Sequence, residues 1–323
     1  MNKSTNDVDI DKFKVDKKTQ IKVVILCLVT GVVCGLMAVW LFGNGSSAPV
    51  SFEFDEEITS IVLVQDTDGV NSKATRSDIN FVAGDSFSVY SDSVNGKEEL
   101  ACEVVDGVLT ITLDTAKNML PDFFSSDKST ITITVPESAE LDSTIIKADL
   151  AYINIDSLDL GYFELVADEV VMYVFDSDME ETKIVNNIGN IYMYDSNLGT
   201  FTFNGGTTNP EFKYCTFGTF DVYIQFGNLF VDDSTIADVN LTADMGYVDM
   251  TNITLEGDLY TYADYGAVVL SLVGNAEDFI LDAYIMESGK YYLDETLAEG
   301  SDSTLQQLTI ATYIGDIDVS FVG

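Results

Sequence analysis

The chain contains no histidine and only one arginine, Arg76, in 323 residues. The first absence removes the commonest general base, the usual zinc ligand and every histidine-based triad. The second removes the bidentate clamps on which phosphate and carboxylate recognition usually relies. Proline is scarce, at 4 residues, which suits long stretches of paired strand. Four cysteines do not make a disulfide framework: Cys27 and Cys34 sit in an apolar run, while Cys102 and Cys215 lie far apart. Two buried, unreactive thiols are expected of the latter pair, with a bridge as the alternative. Positive charge is also in short supply, with 15 Lys and Arg against 54 Asp and Glu for a net charge of −39. Such a surface repels nucleic acid and anionic lipid. It either attracts cationic ligands or serves only to keep the domain soluble.

What is present begins with one long apolar run. Residues 23–42 form 20 residues without a charge, long enough to span a bilayer as a helix. Lys3, Lys12, Lys14, Lys17, Lys18 and Lys22 precede it, and the next base is Lys73. The positive-inside rule then places residues 1–22 in the cytoplasm as a disordered tail and the bulk of the chain outside the cell membrane. The run exceeds a typical signal-peptide core, so a retained single-pass anchor is expected rather than a cleaved one. Trp40 suits the outer interface, and Gly31 with Gly35 offers a small-residue packing face. Residues 43–49 read as a linker.

The remainder alternates apolar and polar residues with strand-forming types, and it repeats. Polar pairs recur at Asp156-Ser157, Asp176-Ser177, Asp195-Ser196, Cys215-Thr216, Asp233-Ser234 and Thr251-Asn252, and glycines at Gly189, Gly227, Gly246 and Gly266 open alternating runs. A unit of about 20 residues cannot bury its own apolar face, but stacked units can. The predicted fold is all-β: a single-stranded parallel β-helix, or β-solenoid, with coils of about 19–20 residues over 141–323, preceded by one transmembrane α-helix. The glycines mark corners, and the Asp and Ser pairs satisfy turn amides. Residues 50–140 alternate without a fixed period and read as first coils or a cap, and QQLTIATYIGDIDVSF reads as the closing strands. A stack of hairpins is the competing geometry, disfavoured by the short fixed period.

The strand Ile58–Val64, the run Gly107-VLTITL, the strand Ser129-TITITVP and the glycine-opened coils resemble a bacterial domain family of unknown function labelled "putative adhesin". The resemblance spans roughly residues 50–323. It implies a membrane-anchored β-solenoid on the cell surface, with some relatives connected to envelope-stress responses, and it carries no catalytic residues.

Chemistry on such a scaffold is limited. Lyase chemistry needs clustered cations, which Arg76 and scattered lysines do not supply. Glycosidase chemistry needs two carboxylates at set separation, and chance neighbours such as Asp232-Asp233 point apart on a strand. No enzymatic activity is expected, and no cofactor beyond Ca²⁺. Stacked Asp156, Asp176, Asp195 and Asp233 would form a carboxylate column able to face cations or Ca²⁺, or merely solvated turn residues. Tyr192, Tyr194, Tyr214, Tyr223, Tyr247, Tyr260, Tyr262 and Tyr265 offer a binding face for carbohydrate or a protein partner, or ordinary sheet packing. Two functions follow as expectations. One is a surface-displayed binding module for cationic peptide, protein or carbohydrate, sensing envelope stress. The other is a structural scaffold that self-associates with divalent cations.

Overall fold

The computed structural model describes residues 48–66, 77–94, 98–115, 129–293 and 305–323. The expected cytoplasmic tail, the membrane-spanning run at 23–42 and most of the 43–49 linker lie outside the described residues. Among the described residues, no helix is long and apolar enough to cross a membrane. Ser47–Gly323 forms one compact unit. Its described residues hold 22 strands and one short 3-10 turn, so the unit is all-β.

The body is solenoid-like. Strands Ser143–Asp156, Tyr162–Phe175 and Glu181–Tyr194 pair in parallel, each residue beside the one 19 positions later, as Tyr162 beside Glu181. The register of 19 persists through Thr200–Thr208, Thr216–Phe226 and Thr235–Met245, then lengthens to 20 at Val239 beside Leu259. Alternation drives this: residues of one parity point inward, and the register stacks each on its equivalent. Ile155, Val174, Met193, Phe212, Val231, Met250, Leu270 and Val319 form one such column, all buried. Bridges from Asp159 through Asp178 and Asn197 to Thr216 add a short third side to each coil.

Two corners show what the repeat encodes. At the first, Ser157, Asp176, Asp195, Tyr214, Asp233 and Asn252 all take φ between 47° and 57°. Short polar side chains tolerate this left-handed conformation best. The next residue turns inward, where Ser177, Ser196, Cys215 and Ser234 are buried. Ser196 Oγ donates to the Tyr194 carbonyl at 2.8 Å and accepts from the Ser177 amide at 3.2 Å. The pairs Asp176-Ser177, Asp195-Ser196 and Asp233-Ser234 are therefore each a bend plus the hydroxyl that satisfies it, because a corner buried without such a partner would strand backbone groups.

At the second corner, Gly189, Gly227, Gly246, Gly266 and Gly315 stand where a Cβ would lie 1.5–1.7 Å from a carbonyl oxygen of the adjacent coil. Beside them runs an amide ladder. Asn228 N donates to Asn209 Oδ1 and Tyr247 N to Asn228 Oδ1, both at 3.0 Å.

The ends depart from the simple repeat. Ser60–Asp66 and Ser77–Gly84 continue the stack by pairing in parallel with the two halves of Ser143–Asp156. Beyond them, Phe87–Val94 pairs antiparallel with Ser129–Pro136 and with Ala48–Phe54. Glu98–Val105 folds antiparallel on Val108–Thr115 through Asp106-Gly107, at φ 50° and 79°. Asp-Gly at two positive φ values matches the strand twist as Asn-Gly does, so a hairpin closes this end.

At the other end the order of coils breaks. The last strands in sequence, Gln306–Ile314 and Ile317–Val322, close the chain but not the stack. They lie between Leu259–Tyr265 with Val268–Val273 on one side and Phe279–Ser288 with Tyr291–Leu293 on the other. The aperiodic stretch 272–306 thus contains the terminal coil.

Candidate ligand-facing surface

The four aspartates expected to form a column do not share one. Asp176, Asp195 and Asp233 occupy the left-handed corner positions. Asp156 falls one residue earlier, in register with Phe175, and Ser157 takes its place in the column. The column is interrupted by Tyr214 and ends on Asn252, whose amide donates to Asp233. Lys213 Nζ reaches Asp232 at 2.6 Å and Asp233 at 3.8 Å. Among the described residues, no three acidic or thiol groups converge as metal ligands. Asp176, Asp195 and Asp233 take the left-handed conformation that short polar side chains tolerate best.

Tyr214 is the anomaly of this corner. A bulky residue at φ 56°, it is 52% exposed, with Lys213 Nζ 5.0 Å from its ring centre. The left-handed region costs a residue with an ordinary side chain about 1–2 kcal/mol, more than an exposed cation–π contact of about 0.5–1 kcal/mol returns. Tyr214→Asn is expected to raise stability by about 0.5 kcal/mol, read as a higher urea midpoint with an unchanged slope.

The tyrosines divide into two groups. Tyr152, Tyr173 and Tyr192 stack outward along one face, with Tyr173 and Tyr192 centroids 4.8 Å apart and nearly parallel. Phe175 and Tyr194 stack beside them at 5.4 Å. Their ring faces are covered by each other, so this ladder presents edges and hydroxyls to solvent and leaves little face for a sugar to stack on. The Tyr194 hydroxyl donates to Glu211 at 3.1 Å, and desolvation together with that bond pushes its pKa to about 12.

The second group lies further along the stack. Tyr223, Tyr260 and Tyr265 are exposed, and Tyr262 is half-buried. Tyr223 OH donates to Asp244 at 2.7 Å and Tyr262 OH to Asp264 at 3.1 Å. The Asp244 hydrogen bond is the main cause of the raised Tyr223 pKa, and desolvation that of Tyr262. Phe226, Met245 and Tyr265 add an exposed apolar corner, each 39–47% accessible and in register one coil apart. A shallow depression of about 270 Å³ lies nearby between Asp238, Asp258, Tyr260, Gln307 and Thr309. Its carboxylates are engaged: Asp238 accepts from the Asp258 amide, and Asp258 from the Gln307 amide.

Electrostatics sharpen this second group. From Tyr214 to Gly289 the sequence has no lysine or arginine, so Lys213 and Lys290 bracket a stretch whose charged side chains are all acidic. Aromatic rings beside unneutralised carboxylates attract ammonium and guanidinium groups both by charge and through the ring quadrupole. Sequence reading missed the pairing because Tyr223 and Asp244 are 21 residues apart. The 19-residue period plus the two-residue strand repeat brings them together.

Nucleophiles are poorly served. Cys215 is buried and Cys102 half-buried, both as free thiols, and desolvation raises their pKa values to about 11 and about 12. A thiol-specific chromogenic aromatic disulfide at pH 8 is expected to leave both unmodified in the native protein and to titrate them on unfolding. Rapid native labelling of Cys215 would contradict the packing described.

No curated protein is significantly similar to the chain. Among solved structures, a "putative adhesin" of Bacteroides fragilis is 14% identical, covering 85% of this chain and 98% of its own, with a TM-score of 0.33. A "putative cell adhesion protein" of Clostridium sporogenes is 10% identical over 86% and 100% of the two chains, with a TM-score of 0.26. A "putative lipid binding protein" of Parabacteroides distasonis is 12% identical over 84% and 98%, with a TM-score of 0.38. The Toastrack family model, DUF4097, matches residues 58–320, which span the stack from its first parallel strands to its last, and the chain belongs to that family.

Proposed function

We propose that this protein is a non-enzymatic, adhesin-like binding module of a bacterial cell envelope that takes cationic ligands on its tyrosine–carboxylate surface. The observation that carries the reading is the Tyr223–Asp244 and Tyr262–Asp264 pairing within a stretch without a single base. The 19-residue parallel register supports reading the body as a single-stranded β-helix, a rigid scaffold on which side chains from successive coils make one surface. The apolar run at 23–42 supports a single-pass anchor with the N-terminus in the cytoplasm and the solenoid outside. The absence of histidine supports a role without acid–base catalysis.

The test is calorimetric binding of a lysine-rich peptide to the full chain in detergent, at low salt and near 0.15 M salt, where the screening length is about 8 Å. Saturable binding that survives the higher salt, and weakens roughly tenfold (about 1.4 kcal/mol) in a Tyr223→Ala, Asp244→Asn variant, is the expected result. Binding that vanishes at the higher salt, or ignores the double substitution, would reduce the acidity to a solubility device. Uptake of a neutral oligosaccharide instead would change the ligand class.

A further inference from the structure

We propose that the open end of the stack is a strand-addition site for an extended, basic peptide segment. Among the described residues, the terminal coil of Phe279–Ser288 and Tyr291–Leu293 pairs on one side only, with Gln306–Ile314 and Ile317–Val322. Phe279 is buried and Leu281, Ala283 and Ile285 are half-buried, but the inward positions of Tyr291–Leu293 are uncovered. Leu293 continues the buried column of Met250, Leu270 and Val319, yet it is 45% exposed. Tyr291 follows the buried Val268 and Ile317 and is also 45% exposed.

The backbone is open as well. The Ser288 and Lys290 carbonyls accept from Gly315 and Ile317, within the stack. Since the direction of N–H and C=O alternates along a strand, Tyr291 and Leu293 turn theirs to the vacant side. Such an edge is a template for another strand. Its usual protections are thin. The coil holds no proline and one base, Lys290, and its register is irregular only between Ile285 and Ser288.

Charge selects the occupant. Asp282 and Glu287 stand exposed on the edge strand, and Asp316 and Asp318 lie in the adjoining coil. A strand alternating lysine or arginine with apolar residues meets these carboxylates with one face and covers the uncovered core with the other. A second copy of the chain would bring Asp282 and Glu287 against their equivalents, and like charges oppose that pairing. The site does not depend on the tyrosine–carboxylate surface.

The test uses the full chain in detergent and an alternating Lys-Val peptide of about ten residues, the length of a long strand. A control peptide carries the same charges with alternate backbone nitrogens methylated, so it cannot add to a sheet. Hydrogen exchange of residues 279–293 is expected to slow at least roughly tenfold with the parent peptide and to stay unchanged with the control. The Tyr223→Ala, Asp244→Asn variant should keep this protection. Equal effects of both peptides, or protection confined to the tyrosine surface, would overturn strand addition in favour of charge attraction alone. Protection that grows with protein concentration and no peptide would overturn it in favour of self-pairing.

Discussion

Gly246→Ala is expected to destabilise the protein by more than about 3 kcal/mol and to abolish cooperative folding of the coils on either side. Gly246 has φ 154°, and an added Cβ would lie 1.6 Å from the carbonyl oxygen of Gly227. Gly227 is itself held against Thr208, and Gly266 against Gly246, so no coil can retreat without displacing the next. Neither backbone is a flexible side chain that could swing aside. The substitution meets a rigid column whose spacing of about 4.8 Å is set by the sheet hydrogen bonds. Gly218→Ala is the control. Its Cβ would come no closer than 3.3 Å to any atom, and the change is expected to stay within about 0.5 kcal/mol. Urea unfolding of both variants decides the matter. A Gly246→Ala protein as stable as the parent would mean that this corner is not packed as described.

Phe220→Ala is expected to cost about 3–5 kcal/mol. Phe220 is fully buried in an aromatic cluster, its ring centre 4.7 Å from Phe217, 5.5 Å from Phe212 and 5.6 Å from Phe201. These residues come from two successive coils, joined by the parallel register that sets Phe201 beside Phe220. In a stack where each coil contacts mainly its neighbours, the damage should be local. Amide exchange should therefore accelerate most in Thr200–Thr208, Thr216–Phe226 and Thr235–Met245, and least in Ser60–Asp66. Tyr223→Ala, on the outer face of the same strand, should cost less than about 1 kcal/mol. Uniform acceleration along the stack would show that the solenoid unfolds as one unit rather than coil by coil.

Periodicity explains how much of this was legible in advance. The alternation and the recurrence of Asp-Ser and glycine are local and regular, and a parallel stack repeats any local feature along its axis. Gly189, Gly227, Gly246 and Gly266 could be placed at one corner from spacing alone. Family membership was legible for the same reason, since it rests on strands such as Ile58–Val64 and Ser129–Pro136 together with the repeat. The all-β, solenoid-like class was determined by the sequence itself, because stacked units bury the apolar parity that a unit of about 20 residues cannot bury alone.

The register at single-residue precision was decided only by the tertiary structure. Asp156 and Asp176 are 20 residues apart and look equivalent, but the ladder advances by 19, so Asp156 stands beside Phe175 instead. A one-residue difference changes the column a side chain joins and the face it shows. Tyrosine–carboxylate pairs such as Tyr223 and Asp244 depend on the same register. The two ends were also hidden. A hairpin through Asp106-Gly107 and a final coil inserted between Leu259–Tyr265 and Phe279–Ser288 break the rule that sequence neighbours are stack neighbours. Their placement depends on which unpaired edges remain once the regular coils have stacked. That is a property of the assembled sheet, and no window of sequence contains it.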